Sequence, residues 1–185
     1  CWMTQVGTLF KCDREGKNLQ PLSFNLDHDT TPAVLNDGRI LYTRWEYVDR
    51  SQVGYHHLWA MNPDGTDVVA YYGNQRHYPL YIDGKAIPGG EDVLAIDSPG
   101  HGQSDHRGHV CIISAKFGPD NGGGYRRITP AAAYNDPWPI DGRRFLVASY
   151  KQLLVGNRAG ELVPVLTYKG AANIHEPAPL VERPR

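Results

Sequence analysis

Cysteine, charge of one sign and long apolar runs are all scarce in this 185-residue chain, and each scarcity removes a class of function. The three cysteines, Cys1, Cys12 and Cys111, are an odd number with no C-x-x-C spacing, so neither a disulfide framework nor a zinc ribbon is encoded. Haem attachment through C-x-x-C-H is excluded within this stretch on the same ground. Lys and Arg number 19 against 20 Asp and Glu, a formal net charge of -1, so nucleic acid and anionic membrane surfaces are not expected partners. No run approaches the roughly 18 apolar residues of a membrane span, and no basic start followed by an apolar stretch marks a signal peptide. Helical periodicity nowhere lasts beyond about two turns.

Glycine and proline are abundant instead, with 20 and 14 copies, which points to many short strands joined by turns and an all-β chain. The chain also repeats itself. "TLFKCDREGKNLQPLSF" (8–24), "HLWAMNPDGTDVVAYY" (57–72) and "QLLVGNRAGELVPVLTY" (152–168) each read as strand, polar turn ending in glycine, strand. Gly16, Gly65 and Gly160 close those turns, where a positive φ is needed that a side chain penalises. A fourth copy, "HVCIISAKFGPDNGGGYRRITP" (109–130), carries a longer turn. Ahead of the hairpins lie "TPAVLNDGRILYTR" (31–44), "KAIPGGEDVLAIDS" (85–98) and "DPWPIDGRRFLVAS" (136–149), each a proline, a glycine turn that includes Gly38 or Gly142 in two of them, and an apolar strand.

Units of about 50 residues with three or four strands have the size of propeller blades, which must stack because neither face can be buried alone. The spacing predicts outer strands only over 1–30, blades over 31–84, 85–135 and 136–175, and the start of another over 176–185. Strands such as "RILYTR" and "EDVLAID" are expected near the channel, with the hairpins outside them. The start at Cys1 and the unfinished "PAPLVERPR" suggest an excerpt of a longer protein whose remaining blades are its first partners.

The pattern of "DGRILYTR" followed by "HLWAMNPDGT" resembles the TolB-type, or PD40, WD40-like blade. Together with "FNLDHDTTPAVLNDGRILYTRWEYVDR", "IPGGEDVLAIDSPGHG" and "RRITP", it resembles the propeller region of the hydrazine synthase α-subunit-like family over nearly the whole chain. That resemblance implies the middle domain of a six-bladed, exported, multihaem redox protein working with partner subunits. It also implies that any haem c sits in domains outside this segment, which is expected to bind no cofactor itself and to serve as scaffold and interaction surface. A TolB-like binding propeller without redox role is the second expectation. Rim loops that complete a haem or metal site are the third.

Several motifs compete for chemistry. "DSPGHGQSD" resembles a turn of the α/β-hydrolases, but no serine has the G-x-S-x-G setting and no strand–helix alternation follows. His101, His106 and His109 sit close together around a glycine-bearing loop and form the candidate metal set, against the leading expectation of a solvated rim loop. Arg44, Trp45, Glu46, Tyr47, Asp49, Arg50, Tyr55, His56 and His57 form the densest polar and aromatic cluster, expected on a long rim loop as a ligand or partner surface. The competing expectation is packing of Trp45 and Tyr47 between blades, with Arg44 paired to Glu46. Asp27, His28 and Asp29 are expected to hold a crossover turn through backbone hydrogen bonds.

Overall fold

Alternation with period two runs through the central strands, and it has two apolar sides to satisfy. In β8 (Asp92–Ser98), Val93 and Ala95 turn one way and Leu94 and Ile96 the other, and all four are buried. In β9 (His109–Ser114), Cys111 and Ile113 share the first side, Val110 and Ile112 the second. A strand covered on both faces needs a neighbouring sheet on each, which is what stacked blades provide.

The computed structural model describes residues 5–101 and 103–180; Cys1 and the closing residues 181–185 lie outside the described residues. A short hairpin, β1 (Phe10–Lys11) with β2 (Gln20–Pro21), comes first. Three four-stranded antiparallel sheets follow, each ordered as in the sequence. Blade one is β3 (His28–Val34), β4 (Ile40–Trp45), β5 (His56–Met61) and β6 (Val69–Tyr72). Blade two is β7 (Leu80–Ala86), β8, β9 and β10 (Tyr125–Arg127). Blade three is β11 (Asn135–Pro139), β12 (Arg144–Ser149), β13 (Gln152–Asn157) and β14 (Leu162–Thr167).

Three apolar layers hold the stack. Leu9, Leu22, Tyr42 and Met61 seal the hairpin to blade one. Leu41, Leu58, Tyr72, Tyr81 and Val93 fill the seam between blades one and two. Leu94, Ile112, Phe145, Val147 and Leu154 fill the next. The all-β propeller fold is therefore as expected, while two details differ.

The innermost strands are β3, β7 and β11, which neighbour one another, and "RILYTR" and "EDVLAID" are second strands. Proline explains the order: Pro32 and Pro137 cannot donate to a ladder, so their strands take the free edge along the channel. A cut between residues 84 and 85 would fall inside β7, so blade two starts at Leu80, blade one at His28 and blade three at Asn135. Each inner strand slips register at a residue of positive φ: Thr31 (49°), Asp83 (54°) and Asp136 (53°), with Glu176 (46°) at the corresponding step further on.

Of the turn glycines, Gly16, Gly38, Gly65 and Gly160 all lie at positive φ. Gly142 is the exception. It is absent from the positive-φ glycines, and a Cβ there would meet the Pro88 carbonyl oxygen at 3.2 Å, so close approach between blades is its constraint.

Candidate functional site

The register of blade one puts three rings in a row. His28 pairs with Trp45 across β3 and β4, and Trp45 pairs with His56 across β4 and β5. The rings stack, at 5.3 Å and 19° for His28 on Trp45 and 4.8 Å and 23° for Trp45 on His56. The Trp45 indole N–H donates to the Gln52 carbonyl at 3.0 Å, and the Gly7 N–H donates to His28 Nδ1 at 3.0 Å. The middle of the row and its His28 end are thereby fixed.

The loop between β8 and β9 in blade two lays two more imidazoles against it. His101 lies 5.1 Å from both Trp45 and His56, and His106 lies 5.7 Å from His56 and 5.2 Å from His101, ring centre to ring centre. His56 Nε2 and His101 Nε2 are 3.1 Å apart. Arg107 ties this loop down: it pairs with Asp105 at 2.6 Å, donates to the Ser104 carbonyl at 3.2 Å and lies over the Tyr150 ring of blade three at 4.1 Å.

Burial, then the neighbouring charges of His101 and His106, pushes His56 down to about 3. Burial, followed by His101, also lowers His106. Both are neutral imidazoles at pH 7. Beside them opens a cavity of about 330 Å³, lined by the imidazoles of His28, His56 and His106, the hydroxyls of Thr30, Thr31 and Thr43, and the carboxylates of Asp83, Asp105 and Asp136. That volume suits a small ligand. Asp83 is buried, paired with Lys85, and pushed up to about 6 by burial, against the pull of Lys85. His175 Nδ1 lies 3.2 Å from Asp136.

The sequence cluster therefore divides. Trp45 and His56 belong to the site. Arg44 is buried in a two-point bond to Asp29, at 2.8 and 3.0 Å, and stacks over Trp59; its partner is Asp29 rather than Glu46. Glu46 pairs with Arg50, whose guanidinium lies 3.8 Å over Tyr55 and donates to Asn74, closing the loop 46–55 on itself and on the next loop. The Tyr47 N–H donates to Asp27, its ring meets the edge of Trp45, and Asp49 is exposed. His57 points to the opposite face, against Tyr81.

Of the candidate metal set, His101 and His106 come together and His109 does not. The His109 Nδ1–H donates to the Thr129 carbonyl at 2.8 Å, because strand alternation turns it away from the loop. His28 was expected in the sequence to hold a crossover turn, and Asp83 and Asp136 were not singled out. The signal that could have found the last two is the recurring step Thr31-Pro32, Asp83-Gly84, Asp136-Pro137, Glu176-Pro177, which marks the bulge of every inner strand.

The two described thiols do not fit a covalently held haem. Cys111 is buried with its Sγ 3.4 Å from the Ala95 carbonyl, burial holding the thiol well up, and Cys12 is alone and exposed in the first hairpin.

No protein-family model matches the chain, and no curated protein matches it in sequence. Solved structures do. Hydrazine synthase from Kuenenia stuttgartiensis matches over 88% of this chain and 22% of its own, with 20% identity and a TM-score of 0.69. A protein assigned as TolB from Agrobacterium tumefaciens matches over 86% of this chain and 56% of its own, with 15% identity and a TM-score of 0.64. A gluconolactonase from Xanthomonas campestris matches over 89% and 56%, with 14% identity and a TM-score of 0.61. The chain thus spans about a fifth of the first and about half of the other two. These likenesses give the fold, a TolB-like β-propeller similar to part of hydrazine synthase.

Proposed function

We propose that this chain is the propeller part of a larger exported redox protein of the hydrazine synthase kind, acting as scaffold and as one wall of a ligand site. Electron-carrying haem belongs to domains outside it. The supporting observation is the meeting of two blades at the imidazole row: a rigid sheet supplies His28, Trp45 and His56, and a loop braced across three blades supplies His101 and His106. Groups that hold and orient are present in that arrangement; an activated nucleophile within hydrogen-bond reach of a base is not among the described contacts of the site.

Absorption spectroscopy tests the division of labour. Matured in a host that attaches haem c, the full-length protein is expected to show a Soret band, and the 185 residues alone none. A Soret band retained by the isolated segment, or missing from the full-length protein, overturns the reading.

A further inference from the structure

We propose that His56, His101 and His106 are ligands of a divalent late first-row transition-metal ion, with zinc as the reference case, at the seam between blades one and two. This deepens the wall-of-a-site reading above and rests on it. Two imidazoles on one tetrahedral zinc, each bonded at about 2.0–2.1 Å, place their nitrogens about 3.3 Å apart and their ring centres about 5 Å apart. The His56 and His101 nitrogens are 3.1 Å apart and the three ring separations are 5.1, 5.2 and 5.7 Å. The three ring centres are therefore spaced as they would be around one ion.

Orientation separates this arrangement from a closed site. Among the described residues no group of three His, Cys, Asp or Glu side chains is arranged to hold a metal ion as it stands, so the site closes only if the His106 ring, which shares no hydrogen bond with the other two, turns. Its Nδ1 is buried without a hydrogen-bond partner. A hydrogen bond between two neutral imidazoles would account for the His56 and His101 pair, yet it leaves that nitrogen unsatisfied, at a cost of about 1–3 kcal/mol. An ion bound by all three removes the deficit. An all-imidazole set selects zinc, copper or nickel over magnesium and calcium. Trp45 clamps the His56 ring from behind, and Arg107 fixes the turn that carries His106. Three protein ligands leave a fourth position open, on the side of the cavity that His56 and His106 line.

The full-length protein, stripped with a chelator, is titrated with zinc by calorimetry and with cobalt(II) by visible absorption. One equivalent with a tetrahedral cobalt spectrum is expected. His101→Ala and His106→Ala, both on the loop and remote from the sheet core, each weaken uptake by more than about 100-fold, beyond what loss of an outer-shell partner does. His109→Ala and His77→Ala leave it unchanged. No uptake by the parent protein, or uptake indifferent to both loop variants, overturns the proposal. Such a failure leaves the Soret test above untouched, so the metal and the scaffold reading can fall separately.

Discussion

At the scale of single residues, buried charge is the most exposed wager of this fold. Arg44 and Asp29 bind each other at two points inside blade one, so removing one partner strands the other in a medium that cannot solvate it. Asp29→Ala is expected to cost about 3–5 kcal/mol in urea unfolding, whereas the double change Asp29→Leu with Arg44→Met recovers most of that loss. Asp83 makes the opposite kind of statement. Its carboxyl is raised from 3.8 to about 6 by burial, with Asp136 and Glu176 adding to the rise and Lys85 opposing it. The folded chain thus holds a proton there that the unfolded chain has released. Stability from this group is full below about pH 4 and is lost as pH rises through about 6. Relative to Asp83→Asn, which has no such proton, the parent protein should lose on the order of 1 kcal/mol per pH unit across that window. Denaturation midpoints of the two proteins at pH 4, 5 and 6 check it, and parallel curves would contradict it.

At the scale of elements, the outer hairpins carry both the repeat and the contact between blades. The Asp13, Asp64 and Asn157 side chains accept backbone N–H groups inside their turns, and glycine at positive φ closes each one. A Cβ on Gly65 would meet the Leu22 carbonyl oxygen at 2.8 Å, and one on Gly160 would run into the Ile128 carbonyl, whereas Gly16 has nothing within 4 Å. Gly16→Ala should therefore cost only the conformational penalty of about 1 kcal/mol. Gly65→Ala and Gly160→Ala add overpacking of about 1–3 kcal/mol, because each turn seats on the residue that follows the outer strand of the preceding sheet. Unfolding in urea should separate the three variants in that order. These hairpins were legible in the sequence because a glycine turn is a local signal. The inner strands were misplaced because their bulges use Thr31, Asp83 and Asp136, which do not announce a positive φ. Half of the imidazole site was legible for the same reason: His101 and His106 share one loop, while His56 joins them across 45 positions only once blades one and two have stacked. His109 misled because proximity in sequence ignores the alternation of β9.

At the scale of the whole molecule, the stack is closed on its inner seams and open at its last sheet. Blade one buries Tyr71 and Tyr72 on its outer strand and blade two half-buries Tyr125 on its own, but the last strand, β14, exposes Val163, Val165 and Leu166, with Tyr168 beyond it. An outermost strand with free N–H and C=O groups and apolar side chains is a template for pairing with another chain. The stitches of the other blades sharpen the contrast. Asn36 donates to the Ile87 and Gly90 carbonyls from blade one to blade two, and Arg158 pairs with Asp92 from blade three back to blade two, whereas β14 has no such bond among the described residues. The 185 residues by themselves should consequently self-associate at micromolar concentration, through β14. Lysine at an edge is a standard means of blocking strand addition, since pairing would bury its charge. Val163→Lys with Val165→Lys should shift sedimentation toward the monomer while leaving the far-ultraviolet spectrum intact, because neither side chain belongs to the buried layers. A parent chain that sediments as a monomer, or a double variant that associates as strongly as the parent, would place the association surface elsewhere or remove it.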